Sequence, residues 1–255
     1  VMRAQGFTGA MVQVTGALTL EDITLDGGDE TGIRASAPMV TVAEGASLTV
    51  GSGAVLENNR NTSTGGGAVG SAGTRYLREG GVIRNNFSAK SGGGVYSTGK
   101  IVMTGGEVSG NMATRWEQQN DHPTSTGGGI CVDKTGSMTM TGGVIRGNVS
   151  RGSMGFGGGI ALGSTGESKG MTLTMTGGTF EGNIAAGNGG GIAGWTGGSA
   201  KITGGTISGN QCNAYVTSTQ MNGDLYFGGG GIYVNKGGVL TLKNVEIASN
   251  KAKGG

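Results

Sequence analysis

Residues that could perform chemistry are few in this 255-residue sequence, and they are widely separated. The single histidine, His122, lies in a polar segment beside Pro123, and the two cysteines are Cys131 and Cys212. A hydrolase of the nucleophile–histidine–acid type needs all three groups within hydrogen-bonding distance. A zinc site needs about four nitrogen, sulfur or oxygen ligands. We therefore interpret His122 as a surface residue and both cysteines as unpaired thiols, and we expect no metal and no other cofactor.

The 16 acidic residues are also scattered along the chain. Enzymes that cleave polysaccharides need paired carboxylates for acid–base work, or carboxylates that bind calcium. Asp133 follows one of the repeated strands described below, but no acidic residue aligns with it in the neighbouring repeats. The sequence therefore favours a protein that is not an enzyme, and a polysaccharide-cleaving enzyme is the less favoured alternative.

Charge and hydropathy exclude two further classes of partner. The formal net charge is +2 and 13% of the residues are charged, without a basic stripe. Nucleic acid is therefore not an expected partner. No apolar run approaches the roughly 18 residues that a membrane-spanning helix needs, so we expect no membrane insertion by this segment.

Glycine accounts for 60 residues and recurs at fixed places. Six glycine triplets are each followed by an apolar residue, and 19 to 26 residues after each triplet begins there is an Asn with an apolar residue three positions before it. The distance from that Asn to the next triplet varies from 6 to 19 residues. The repeat is therefore roughly 27 residues long, with insertions mainly at one corner. The triplets begin at Gly65, Gly92, Gly127, Gly157, Gly189 and Gly229, and the Asn residues are Asn86, Asn111, Asn148, Asn183, Asn210 and Asn250.

Alternation of apolar and polar residues within each repeat predicts short, half-buried strands. Met and Thr alternate over residues 137–141, and Leu and Met alternate with Thr over 172–176. Three short strands per repeat and about eight repeats predict an all-β fold, the right-handed parallel β-helix, a solenoid in which each coil stacks on the next. The repeated Asn residues are expected to form a ladder of amide side chains.

Three inward ladders follow from this alignment, and they account for many of the methionines as core residues. The first ladder is Val95, Ile130, Ile160, Ile192 and Ile232; the second is Met103, Met140, Met175, Ile202 and Leu242; the third is Ile83, Val108, Ile145, Phe180, Ile207 and Ile247. In the third coil Arg78 falls in the second ladder. We expect a bulge or a slip over residues 74–78, because a buried, unpaired arginine is costly.

The whole chain, residues 1–255, is expected to be a single β-helix segment of a larger protein. The coils over 1–64 are divergent and those over 65–255 are regular. Another triplet begins at the end of the sequence, so further coils or another domain are expected to follow. Insertions are predicted at 112–126, 149–156, 163–170 and 211–228.

The two longest insertions are the strongest indication of a binding site. Long loops on a rigid scaffold often hold functional residues, and exposed aromatic rings often contact proteins or sugars. Between the insertions, the outward residues of the strand after each triplet are small, which predicts a shallow groove with a tyrosine at each end. That outward column reads Val69, Tyr96, Cys131, Ala161, Ala193 and Tyr233. The predicted binding residues are Trp116, His122, Tyr215, Tyr226, Phe227, Tyr96 and Tyr233. The alternative is that the rings pack back over Ala161 and Ala193.

The paired motifs resemble the repeats of chlamydial polymorphic membrane proteins, which contain a GGA-I motif and an F-x-x-N motif. Residues 180–183 match the second motif fully, whereas the other coils have Ile or Val in place of Phe, and the triplets have Gly in place of Ala. Residues 16–20 and 175–178 also resemble repeats of large wall-attached proteins of Gram-positive commensals. The resemblance covers essentially the whole chain. It implies a secreted, extracellular protein on a bacterial cell surface, and an adhesin that binds a host cell-surface protein or glycan. A passive stalk or spacer fits the core repeat equally well.

Overall fold

The computed structural model describes residues 1–114, 126–152, 155–164, 169–213 and 228–253. Within these residues the only helix is a single 3₁₀ turn, Asp29–Thr31, and the regular structure is otherwise all strand. The strands form four parallel sheets, in which neighbouring strands come from successive coils. Three sheets have eight strands and one has seven. The predicted parallel β-helix and its eight coils are therefore confirmed.

We number the sheets 1 to 4 in the order in which each coil passes through them. Sheet 1 consists of Val12–Val14, Val40–Val42, Val69–Ser71, Val95–Ser97, Ile130–Val132, Ile160–Leu162, Ile192–Gly194 and Ile232–Val234. Sheet 2 consists of Ala17–Leu20, Ser47–Val50, Thr74–Leu77, Lys100–Met103, Ser137–Met140, Thr172–Met175, Ser199–Ile202 and Leu240–Leu242. Sheet 3 consists of Thr24–Asp26, Val55–Glu57, Val82–Arg84, Glu107–Ser109, Val144–Arg146, Thr179–Glu181, Thr206–Ser208 and Glu246–Ala248. Sheet 4 consists of Arg60–Asn61, Phe87–Ser88, Met112–Ala113, Val149–Ser150, Ile184–Ala185, Gln211–Asn213 and Lys251–Lys253.

Each coil after the first has four strands rather than the predicted three. The additional strand lies in sheet 4, directly after the repeated Asn, and is only two or three residues long. A strand of two residues cannot show an alternating pattern, so the sequence does not reveal it. Three of the predicted insertions therefore begin on strand residues: Met112–Ala113, Val149–Ser150 and Gln211–Asn213 pair with the coils beside them.

The three predicted inward ladders are confirmed by the strand register. Met103 pairs with Met140 in sheet 2, Val108 pairs with Ile145 in sheet 3, and the rest of each ladder continues in the same register. The ladder residues are buried through most of the solenoid, whereas Leu242 and Ile247 in the last coil are exposed. Burial of these columns against one another is the main source of stability, since one coil cannot bury its own apolar side.

The Asn ladder is present and continuous. Around Asn148, the backbone N–H and the Nδ2 of Asn111 each donate to its Oδ1 at 3.0 Å. The Nδ2 of Asn148 donates to the Val108 carbonyl at 2.9 Å and to the Oδ1 of Asn183 at 3.0 Å. The Asn side chains at this buried corner thus form hydrogen bonds with backbone groups that the turn between sheets 3 and 4 would otherwise leave unpaired.

Asn59, at which the sequence predicts that the second coil closes, and Arg3, which the sequence does not predict, extend this ladder towards the N-terminus. Asn59 donates its backbone N–H to the Oδ1 of Asn86 at 3.1 Å. The Oδ1 of Asn59 in turn accepts from the Nη2 of Arg3 at 3.0 Å. Arg3 is buried, and its backbone N–H also donates to the carbonyl of Asp26. The guanidinium of Arg3 therefore takes the place of an asparagine at this end of the ladder.

Each glycine of a triplet has its own structural reason, as Gly157–Gly159 illustrates. Gly157 has φ +62°, a left-handed conformation that is costly for residues with a side chain. A Cβ on Gly158 would lie 2.5 Å from the backbone of Ile184, in sheet 4 at the end of the same repeat. A Cβ on Gly159 would lie 3.1 Å from the Nδ2 of Asn183. The triplet is therefore the place where sheet 4 and the Asn ladder pack against the bare backbone that leads into sheet 1.

The third coil departs from the predicted register by one residue at its start. Val69, predicted to face outward, pairs with the inward residue Val95 and is fully buried. Gly70 takes the outward place beside Tyr96. The glycine with the left-handed conformation is Gly66, so the triplet equivalent in this coil begins one residue later than predicted.

The same coil contains a second correction, in sheet 2. Leu77, and not Arg78, pairs with Met103, and the strand runs without a bulge. The additional residue of this coil lies in the following turn, where Gly81 donates to the Arg78 carbonyl and Gly80 has φ +73°. Arg78 is exposed. The arginine that points inward is Arg75, between Leu48 and Ile101.

Candidate functional site

The predicted binding strip is the outward row of sheet 1. Strand register places Tyr96, Cys131, Ala161, Ala193 and Tyr233 in one continuous row, as predicted. Paired strands lie about 4.8 Å apart, so the two tyrosines stand roughly 19 Å apart at opposite ends of the row. Both are partly exposed.

The middle of this row is covered, and the predicted shallow groove is wrong. Cys131, Ala161 and Ala193 are at most 2% exposed. The first glycine of each triplet folds back over the strand that follows it. A Cβ on Gly189, for example, would lie 2.8 Å from the Cβ of Ala193. The chain itself therefore fills the space that the small side chains were expected to leave open.

Two aromatic side chains not predicted as site residues complete this cover. Phe156 is buried with Ala193 in a small apolar cluster, and Trp195 packs on it with the ring centroids 4.5 Å apart. Phe156 directly precedes a glycine triplet, and Trp195 directly follows a sheet 1 strand. Phe156 and Trp195 thus pack over this part of the strip, whereas the rings of the alternative interpretation lie outside the described residues. The residues before the other regular triplets are Ser91, Thr126, Asn188 and Gly228, a mixture that gives no recurrent signal.

A polar cluster spans three coils beside the covered strip. Asp133 is 3% exposed, and its Oδ2 accepts from the hydroxyl of Tyr96 at 2.7 Å and from the hydroxyl of Ser164. Its Oδ1 accepts from the backbone N–H of Lys134 at 2.8 Å and of Ser164 at 3.3 Å. The carboxylate is therefore surrounded by donors and joins adjacent coils, which is a structural arrangement rather than that of a general base awaiting a substrate.

Both cysteines are buried, and within the described residues neither forms a disulfide. Burial, followed by the nearby charge of Asp133, raises the pKa of Cys131, whose Sγ lies 3.3 Å from the Oγ1 of Thr126. Cys212 lies in sheet 4, with its Sγ against the carbonyl of Gly187. A buried thiol with a raised pKa is a poor nucleophile.

The Tyr96–Asp133 contact predicts a characteristic loss of stability in alkali. Burial, and then the hydrogen bond to Asp133 and its charge, raise the pKa of Tyr96. A phenol whose pKa is higher in the folded than in the unfolded state contributes stability below about pH 10, and this contribution is lost as the pH rises further. We expect the melting temperature of the parent to fall more steeply above pH 10 than that of Tyr96→Phe.

The measurement is the melting temperature from pH 7 to 11.5, with Tyr76→Phe as the control. Tyr76 is partly exposed on sheet 2, and the guanidinium of Arg78 lies 5.9 Å from the centre of its ring. The Tyr76→Phe profile should follow that of the parent. Parallel profiles for the parent and Tyr96→Phe would contradict the assignment.

Both long insertions leave the solenoid at one corner, between sheets 4 and 1. Ala113 and Cys212, which lie just before them, belong to the same row of sheet 4, three strand pairings apart. At the usual strand spacing the two points of departure are roughly 14 Å apart along the axis. The row between them is fully buried and regular, so both insertions emerge on the same side of a continuous scaffold.

Five of the predicted binding residues, Trp116, His122, Tyr215, Tyr226 and Phe227, lie outside the described residues. Of the other two, Tyr96 is hydrogen-bonded to Asp133, and Tyr233 is partly buried in the last coil. Among the described residues there is no group of three or more His, Cys, Asp or Glu side chains placed to hold a metal ion. The same part of the chain has no helix with the length and apolar character needed to cross a membrane.

Comparisons with protein families, with curated proteins and with solved structures give no match to this chain.

Proposed function

We propose that this chain is the rigid β-helical part of an extracellular bacterial surface protein that binds a host protein or glycan. The binding edge is the corner between sheets 4 and 1, where the two long insertions emerge. The observation that supports the proposal most is their common origin, on the same side of the solenoid and three coils apart. The activity is adhesion, without catalysis.

The covered strip changes how binding is arranged along this edge. Because Cys131, Ala161 and Ala193 are buried, a partner cannot lie in a groove between the insertions. It would instead rest across the closed surface, with Tyr96 and Tyr233 at either end, beside the corner from which the insertions leave. A broad contact of this kind suits a folded protein or an extended glycan better than a small buried ligand.

A triple variant tests the proposal. Trp116, Tyr215 and Tyr226 are all changed to Ala, which leaves every described ladder intact. We expect the variant to melt within a few degrees of the parent and to lose tenfold or more in affinity, because aromatic anchors commonly dominate binding energy. The measurement is attachment to host epithelial cells, to immobilised mucin and to a glycan array.

The matched control is Tyr76→Ala, which removes an aromatic ring from sheet 2, away from the insertion corner. It should bind like the parent. A triple variant that binds as tightly as the parent would instead favour a passive stalk, which the uninterrupted ladders would serve equally well. If the chain cleaved any glycan of the array and so produced new reducing ends, the proposal that it is not an enzyme would be contradicted.

A further inference from the structure

One arginine is buried in the apolar interior of the solenoid. Arg75 is 4% exposed and lies in an inward column of sheet 2 between Leu48 and Ile101. Among the described residues, neither its Nη1 nor its Nη2 has a hydrogen-bond partner. Burial lowers the pKa of Arg75 to about 9, and no carboxylate contributes to that change. At neutral pH the guanidinium is therefore still charged, with its outer donors unused.

A cavity adjoins this side chain. Its volume is about 20 Å³. The space is large enough for at least one water, which needs about 10–15 Å³. Arg75 is the charged residue among those that line it, and the other lining residues are mostly aliphatic. Val50, Leu77, Met103 and Val108 are among the apolar lining residues.

The chemistry of this cavity selects its occupant. A charge in an apolar interior is very costly unless a counter-charge is close by, and arginine releases its proton only with difficulty. Among the described residues, no side chain lining the cavity is acidic. The counter-charge must therefore come from solution, and an oxyanion would leave most of its oxygens without donors against a mostly aliphatic wall. A weakly hydrated monatomic anion loses the least hydration free energy on leaving water, and it needs no donors beyond the unused N–H groups of Arg75.

We propose that the cavity beside Arg75 is an internal binding site for a chloride ion, which neutralises the guanidinium and joins the third coil to the coils that follow. The site is independent of the binding edge proposed above, because it lies in the core and not at the insertion corner. Its role is to stabilise the N-terminal part of the solenoid.

Halide substitution tests the site directly in the intact chain. Crystals grown in sodium bromide should give an anomalous difference peak within hydrogen-bonding distance of Nη1 or Nη2 of Arg75. In solution, the chloride concentration is raised at constant ionic strength, with sodium gluconate as the balancing salt. Above the dissociation constant, each tenfold rise in chloride should raise the melting temperature of the parent by roughly 3–5 °C.

Two variants complete the test. Arg75→Met replaces the charge with a side chain that already occupies the same column at Met138, and it should abolish the chloride dependence while remaining folded. In gluconate alone it should melt above the parent, since it no longer buries an unpaired charge. Arg78→Met changes an exposed arginine in the turn that follows the strand of Arg75. This variant should keep the full dependence of the melting temperature on chloride. Density for water alone with no bromide peak, or an equal chloride response in Arg75→Met and the parent, would overturn the proposal.

Discussion

A protein with Gly158→Ala should unfold at a far lower denaturant concentration than the parent, whereas Gly16→Ala should unfold close to the parent. At Gly158 a Cβ would lie 2.5 Å from the backbone of Ile184 and closer still to the carbonyl oxygen of Gly190. Both neighbours are backbone atoms held by hydrogen bonds between coils, so neither can move without breaking that pairing. We expect a loss of about 3 kcal/mol or more, at the upper end of the usual cost of overpacking.

Gly16 is a matched control because it differs from Gly158 only in its surroundings. It lies in the turn before sheet 2, has no atom within 4 Å of the place that a Cβ would take, and lacks a left-handed φ. Its change to Ala should alter stability by about 0.5 kcal/mol or less. The measurement is the free energy of unfolding from urea titration, followed by far-ultraviolet circular dichroism. Equal stability of the two variants would contradict the packing role assigned to the middle glycine of the triplet.

The glycine triplets show how far the sequence alone can lead. Their recurrence with the apolar residue that follows predicts the period and the inward face of sheet 1, because alternation over a strand sets which side chains face the core. The closeness of sheet 4 behind Gly158 could not be predicted. It depends on a strand of only two residues, Ile184–Ala185, which has no alternation of its own.

The third coil marks a different limit. Six positions separate Leu77 from Ile83, whereas five separate Met103 from Val108 in the next coil. An alignment that keeps a separation of five positions puts Arg78 in the core. From the sequence alone, the additional residue can be assigned either to the strand or to the turn. The structure places it in the turn, where glycine accepts the left-handed conformation at Gly80. The strand therefore stays regular. As a consequence, Arg75 lies at an inward position and is buried.

The candidate site was predicted in part. The outward row of sheet 1 follows from strand register and is correct, except that Gly70 takes the place of Val69. Its cover was missed because the chain before each triplet folds back over it, and the residue at that point changes from coil to coil. The Asp133 cluster was missed for a related reason. Tyr96 and Ser164 are far from it in sequence, and only stacking of the coils brings them together.

Asn86→Ala should destabilise the solenoid severely, whereas Asn85→Gly, one residue earlier, should leave it unchanged or slightly more stable. The Nδ2 of Asn86 donates to the Leu56 carbonyl at 3.0 Å and to the Oδ1 of Asn111 at 3.0 Å, and its Oδ1 accepts from the backbone N–H of Asn59 at 3.1 Å. Alanine makes none of these bonds and leaves buried groups on both neighbouring coils unpaired. A loss of about 3–5 kcal/mol follows from a cost of about 1–3 kcal/mol for each group without a partner, after partial relaxation.

The control variant, Asn85→Gly, distinguishes the contribution of the Asn ladder from that of the turn in which the ladder lies. Asn85 is exposed and has φ +54°, and the corresponding position of the next coil is Gly110, with φ +61°. Glycine adopts this conformation more readily than asparagine, so Asn85→Gly tests the turn without touching the ladder. Hydrogen exchange at the amide of Asn59 is the decisive measurement, since that N–H bonds directly to the side chain removed in Asn86→Ala. Its protection should fall strongly in Asn86→Ala and persist in Asn85→Gly. Retained protection in Asn86→Ala would mean that backbone pairing alone holds the coils together and that the amide ladder adds little.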